Sequence, residues 1–270
     1  MQLRHRAALN GVELDEIDSR VIIQGVQCGA PKSTQSAISL FGANGQRLSV
    51  NQRDNIDVKV QFGLLIRKTD MAARAELLDR VNAWAAAAQR EFGGAWLTVN
   101  YKENRRLHVM MVEPAEEGDL KEWTNVFDIT FRAYGVPYWQ EIEAEAYTSD
   151  VTSARVGQIR VNGSAQTVAD IELANMSGAK IDTATVYAGA WGIGFTGLGL
   201  MAGETLVIDH SDEGRLQLRI RGTNGAYRSV YDKRSPYSAN DLYVMPGLQT
   251  VRFQAQRACI MTAKAYGRFL

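Results

Sequence analysis

Residues Val126 to Trp139, VFDITFRAYGVPYW, decide how the first half of the chain is read. Successive side chains of a strand point to opposite faces, so Phe127, Ile129, Phe131 and Ala133 share one face while Asp128, Thr130 and Arg132 share the other. The first face is expected in a core, the second towards water or a partner. Pro137 removes a ladder donor and keeps Val136 extended, so the strand is expected to leave its sheet near Gly135 and a domain to end there.

Upstream of this segment, Val58, Val60, Phe62, Leu64 and Ile66 alternate with Lys59, Gln61, Gly63 and Arg67, which predicts a long strand ended by Lys68-Thr69-Asp70. The period then changes. From Met71 to Phe92 the apolar positions Leu77, Val81, Trp84, Ala85, Ala88 and Phe92 follow helical spacing, with Asp70 as N-cap and Gly93-Gly94 as the stop. Glu76 and Arg80 form a favourable i,i+4 pair, and Arg74, Asp79 and Gln89 are expected on the outer side. Asn44-Gly45 separates SAISLF from QRLSV, the chemistry of a type I′ hairpin turn. WLTVNY and RRLHVMMV supply two more strands before the closing one.

The second half carries short alternating runs at Gln158–Val161, Val168–Leu173, Thr183–Tyr187, Thr205–Asp209, Arg215–Ile220 and Thr250–Gln256, with no sustained helical period. Asp212-Glu213-Gly214 and Asn224-Gly225 frame Leu216, Leu218 and Ile220, predicting consecutive hairpins. A mainly β protein follows: an N-terminal β domain with one α-helix over 1–140, then a C-terminal β-sandwich over 141–270.

The chain has 270 residues and 46% hydrophobic content, enough for a core in each domain. Thirty basic and thirty acidic residues cancel, so no global field directs it to nucleic acid or an anionic membrane. Cys28 and Cys259 lie in different predicted domains and read as packed thiols rather than a disulfide framework. MQLRHRAALNG lacks the apolar region of a signal peptide, and no run approaches the ~20 apolar residues of a membrane span, so synthesis and folding in the cytoplasm are expected.

In order along the chain, Leu9-Asn10-Gly11, NGQRLSVNQRD, the long strand running into a helix with Asn82-Ala83-Trp84, RRLHVM and the PYW exit resemble the N-terminal domain of the distal tail protein (Dit) family of long-tailed phages. GETLVID at Gly203–Asp209, Asn224-Gly225 and LYVMPGLQTVRF at Leu242–Phe253 resemble its C-terminal domain. The resemblance implies a galectin-like second domain and a structural role without catalysis or cofactor. It implies a hexameric ring at the virion tail tip, joined to the tail tube protein, to a tail-associated hub or fibre protein and to receptor-binding or baseplate proteins. A closed ring needs a heterologous interface, and the long strand and closing strand of the first domain are expected to offer edges for it.

Gly192-Ile193-Gly194-Phe195-Thr196-Gly197 satisfies G-x-G-x-x-G, but a dinucleotide site needs a helix after the glycines, and Gly199 and Gly203 occupy that stretch. The motif reads as a glycine-rich loop between strands, with Trp191 and Phe195 as candidate loop contacts. Of the three histidines, His108 reads as a structural strand residue, and Asp209-His210-Ser211 cannot form a relay because neighbours point apart. No C-x-x-C, H-x-x-x-H or EF-hand pattern offers a metal site, and Glu116-Glu117-Gly118-Asp119 reads as a solvated turn. In EIEAEA the carboxylates of Glu141, Glu143 and Glu145 are expected on one strand face, solvated or set against Arg53, Arg105 or Arg106 of a neighbouring subunit. The rival function is a glycan-binding baseplate or receptor-recognition module, suggested by Tyr187, Trp191, Tyr227, Tyr231, Tyr237 and Tyr243, although the galectin signature H-x-N-P-R is missing.

Overall fold

A computed structural model describes residues 5–31, 33–39, 46–67, 69–116 and 125–270, with backbone alone for 33–39 and 46–53. The chain divides into two compact units, Met1–Trp139 with Leu270, and Gln140–Phe269.

In the first unit the strands are β1 (Ala7–Leu9), β2 (Val12–Glu13), β3 (Val21–Cys28), β4 (Ser33–Ser39), β5 (Gln46–Arg53), β6 (Ile56–Leu64), β7 (Ala95–Val99), β8 (Arg105–Glu113) and β9 (Val126–Ala133); α1 (Met71–Ala85) lies between β6 and β7. The sheet runs β2-β1-β7-β8-β9-β6-β3, every pairing antiparallel. Alternation fixes the central register: Val58 lies opposite Phe131, Val60 opposite Ile129 and Phe62 opposite Phe127. All six are buried, and the Phe62 and Phe127 rings stack 5.7 Å apart. The strand stops at Ala133 and the chain turns away at Gly135, whose φ of 74° is one that a Cβ disfavours.

α1 begins where Asp70 accepts a hydrogen bond from the Ala73 N–H (3.1 Å). Leu77, Leu78, Val81, Trp84 and Ala85 form its buried stripe. Trp84 meets Phe131 edge-on at 6.0 Å and donates from Nε1 to the Val12 carbonyl (2.9 Å). Asn82 fixes the axial position: it donates to the Ala115 carbonyl (3.1 Å) and accepts from the Ala115 N–H (3.0 Å).

Three expectations for this half change. The regular helix ends at Ala85; two 3₁₀ turns carry the chain to Phe92, which is 70% exposed rather than on the apolar stripe. Arg74 is buried, not external, and donates to Asn125 Oδ1 (3.1 Å). Both β6 and β9 are interior strands with neighbours on each side, so they offer no free edge; the edges of the sheet are β2 and β3. Between β3 and β6, β4 and β5 form a separate two-stranded sheet among the described residues, with Ser39 opposite Gln46. The Asn44-Gly45 turn itself lies outside the described residues, as do Glu117, Gly118 and Asp119 of the acidic turn.

The second unit comprises the end of β10 (Trp139–Glu141) and then β11 (Glu145–Thr148), β12 (Thr152–Val161), β13 (Thr167–Asn175), β14 (Ile181–Ala188), β15 (Trp191–Leu200), β16 (Thr205–His210), β17 (Leu216–Arg221), β18 (Tyr227–Ser229), β19 (Tyr243–Val244), β20 (Gly247–Ala265) and β21 (Arg268–Phe269). Ten of these form one antiparallel sheet, β15-β14-β20-β13-β16-β17-β18, with β11 and β12 also on β20 and β19 on β13. The 19-residue β20 serves two sets of neighbours. Its first half, up to Ala255, lies between β12 and β14; its second half, from Cys259, lies between β11 and β13. The sheet thereby curls over a single core of Ile171, Leu173, Val186, Ile193, Phe253 and Met261 among others, the arrangement of a β-sandwich. Both predicted hairpins are present, β16–β17 and β17–β18.

Truncating Trp84 removes its burial, its ring contact and a hydrogen bond together. Trp84→Ala is expected to cost the first unit about 3–5 kcal/mol in chemical denaturation, whereas exposed Asp79→Ala leaves the midpoint within error of wild type.

Candidate functional site

The residues singled out in the sequence separate in space by burial. β15 holds the G-x-G-x-x-G motif within a strand rather than as a loop: it pairs with β14 from Ala188↔Trp191 to Thr183↔Thr196, and a bulge with Gly197 and Gly199 at positive φ precedes Ile181↔Leu200. The reading of a loop fails because Gly192 answers a packing need: a Cβ there would sit 2.4 Å from the Tyr187 ring of the adjacent strand. Phe195 is consequently a core residue, 2% exposed, and no loop contact. Trp191 stays 44% exposed and meets Tyr243 edge-on at 5.6 Å.

Glu141, Glu143 and Glu145 do not share one strand face, because β10 ends at Glu141, the chain bends through Ile142-Glu143, and β11 starts at Glu145. Glu141 accepts hydrogen bonds from the Gly267 N–H (3.0 Å) and Asn162 Nδ2 (3.2 Å), a clamp within the second unit, while Glu143 and Glu145 are exposed. Arg105 and Arg106 open β8 and are half-buried, and the Arg106 guanidinium lies 4.0 Å from the centre of the Trp96 ring. Arg53 closes β5, and its side chain lies outside the described set.

His108 is a buried strand residue, 5.1 Å from the Trp96 ring. His210 has the more specific surroundings. Its Nδ1 is 2.7 Å from Asp170 Oδ1 and its Nε2 is 2.8 Å from Asp241 Oδ1, so both ring nitrogens are engaged by carboxylates from β13 and from the segment before β19. Burial alone pulls the pKa of this imidazole down, but the hydrogen bonds and charges of Asp170 and Asp241 outweigh it and raise the value to about 9. His210 is thus a buried imidazolium held between two carboxylates. Its sequence neighbour Asp209 points elsewhere and pairs with Arg219. No local pattern could have found this clamp, since its members are separated by 40 and 31 residues. Buried Asn175 was equally invisible: it donates to the Ala179 and Leu200 carbonyls and accepts from the Ser177 N–H and hydroxyl.

Both thiols are free. Burial pushes Cys259 up to about 11, and burial likewise raises Cys28, whose Sγ is 2.7 Å from the Tyr101 hydroxyl. Neither is an activated nucleophile. Among the described residues no group of three or more His, Cys, Asp or Glu side chains is placed to hold a metal ion, and no helix is long and apolar enough to cross a membrane.

No family profile and no curated protein matches the sequence. Among solved structures the chain superimposes on the Dit protein of phage SPP1, described as a paradigm of the hub adsorption apparatus in Gram-positive-infecting phages, with a TM-score of 0.67 and 14% identity over 98% of this chain and 99% of that one. The fold is that of a Dit hub protein. A chain of the phage P2 baseplate in its activated conformation with Ca shares it, with a TM-score of 0.56 and 7% identity over 98% of both chains. The Dit-like fold therefore accounts for both units, the first with its single helix and the second with its curled antiparallel sheet.

The His210 clamp sets a pH dependence with a definite sign. Because the folded pKa is raised above the ordinary 6.5, its contribution is complete below about pH 6.5 and is lost as pH rises through about 9. Thermal unfolding followed from pH 7 to pH 10 is expected to show a falling midpoint for wild type, and a flatter, lower profile for His210→Asn.

Proposed function

We propose that the chain is a structural distal tail protein, forming a hexameric ring at the tip of a phage tail. In this reading it joins the tail tube protein to a tail-associated hub or fibre protein and to receptor-binding or baseplate proteins. The observation that carries the reading is the end-to-end likeness of fold to SPP1 Dit, across both units and essentially all of both chains. The role in a hub adsorption apparatus belongs to that protein by its description and is proposed for this one.

The first domain, 1–140, is assigned the ring, and the second, 141–270, is displayed from it. Supporting this, the edges β2 and β3 and the two-stranded sheet of β4 and β5 offer main-chain hydrogen bonds that a neighbouring copy would complete. Two different surfaces per protomer are what a closed ring requires. Exposed Glu143 and Glu145 are assigned to a contact with Arg53, Arg105 or Arg106 of the next protomer, where opposite charges fix register more than they add affinity. Glu141 is already held by Gly267 and Asn162 and is the weakest of the three as an interface residue. A non-enzymatic role agrees with a histidine whose two nitrogens are both engaged and with thiols of raised pKa.

Light scattering on the purified full chain is expected to give six times the 29.8 kDa protomer mass, with rings in negative stain. A single protomer mass across the micromolar range overturns the ring. Reversing the charge of Glu143 and Glu145 to Lys is expected to reduce the ring fraction without changing the fold; unchanged assembly removes this acidic pair from the interface.

A further inference from the structure

Beyond the hub role, we propose that the second unit carries a binding groove for an anionic glycan on the outer face of β12, β20, β14 and β15. The pairing register places Val156, Arg252, Tyr187 and Gly192 in one row across these four strands, and Ala154, Gln254, Thr185 and Gly194 in the next. Side chains alternate along a strand, so these rows face away from the core occupied by Val186, Ile193 and Phe253. Two depressions lie along the rows and share Tyr187. One, of about 510 Å³, is lined by Arg155, Tyr187, Arg252 and Gln254 among others. The other, of about 480 Å³, is lined by Thr185, Tyr187, Gly192, Ser235, Tyr237 and Ser238 among others.

The lining has the chemistry of a site for an acidic sugar. Neither depression includes a carboxylate in its wall, and the outward row of the first carries the Arg252 guanidinium. The Arg252 guanidinium is held 3.9 Å from the centre of the Tyr187 ring, and that ring in turn lies over Gly192. Planar guanidinium groups bind a carboxylate or a phosphate through paired donors, which an ammonium does not reproduce.

The second depression supplies what the sugar ring needs. Tyr237 is 96% exposed, so folding buries almost none of its ring and the ring remains available to the apolar face of a pyranose. The strap that bears it is fixed rather than loose: Ser235 N–H donates to the Gly194 carbonyl and Ala239 N–H to the Gly192 carbonyl, both at 2.8 Å, and Ser238 Oγ accepts from the Gly194 N–H at 3.0 Å. A wall already ordered before binding lowers the entropy cost of association. Thr185, Gln254, Ser235 and Ser238 add donors and acceptors for hydroxyls.

The acidic group has two chemical sources, and titration calorimetry on the full-length protein separates them. Oligogalacturonate offers carboxylates on pyranose rings, phosphomannan offers phosphates on pyranose rings, and cellohexaose is the neutral control. Binding to at least one of the two anionic polymers is expected, whichever it is naming the group recognised. Arg252→Gln should weaken it tenfold or more, and Tyr237→Ala several-fold; the latter removes a side chain that is already exposed and so leaves folding untouched. Arg257→Gln, on the same strand outside the groove, should bind as wild type. The proposal is overturned if neither anionic polymer binds, if cellohexaose binds as tightly, or if both Arg252→Gln and Tyr237→Ala retain wild-type affinity. None of these results bears on ring formation, which is read from particle mass.

Discussion

The second unit depends on one strand being long enough to serve twice. A strand of five or six residues pairs with one neighbour on each side, but the 19 residues of β20 reach past β12 and β14 to a second pair, β11 and β13. Its main chain pairs with two neighbours in each half, and the side chains Val251 and Phe253 in the first half and Cys259, Met261, Ala263 and Ala265 in the second are buried, with exposed Arg257 between the two runs. The strand therefore carries the core from one half of the curled sheet to the other. The remaining strands are appended to it, and the outer face proposed as a groove exists because β12 and β14 are both held to its first half.

The first unit reaches stability by another route, a sheet covered by one helix. Burial of Leu77, Val81 and Trp84 against Phe131 and its neighbours supplies the apolar contact, and the reciprocal pair between Asn82 and Ala115 supplies direction. Hydrophobic burial is non-directional, so a stripe alone does not say where along the sheet a helix stops sliding. Two hydrogen bonds from one amide settle that. Arg74 and Asn125 act alike at the other end of the helix, tying its first turn to the start of β9.

Polar groups inside the second unit work as fasteners. Asn175 satisfies two carbonyls and two donors at the turn between β13 and β14, and the imidazolium of His210 joins β13 to the segment before β19 through two carboxylates. Each group would be costly if left unpaired in a core, and each is paired. The strap bearing Tyr237 is bonded to β15, and the segment following it is anchored at Asp241.

What the sequence determined by itself is whatever depends on neighbours along the chain. Alternation in VFDITFRA and in the long strand before the helix gave buried faces, a capping aspartate and apolar spacing gave the helix, and turn chemistry at Asp212-Glu213-Gly214 and Asn224-Gly225 gave the hairpins. The ordered succession of these features was enough to suggest the Dit fold. The tertiary structure decided everything that depends on residues distant in the chain. It made Gly192 a strand residue because Tyr187 needs the space, withdrew Phe195 into the core, broke the acidic face of Glu141, Glu143 and Glu145 at a bend, and set Asp170 and Asp241 about His210. Periodicity reports which side of a strand is buried, because that is a local property of the backbone; which strands become neighbours, and hence which side chains meet, is fixed only when the whole core closes.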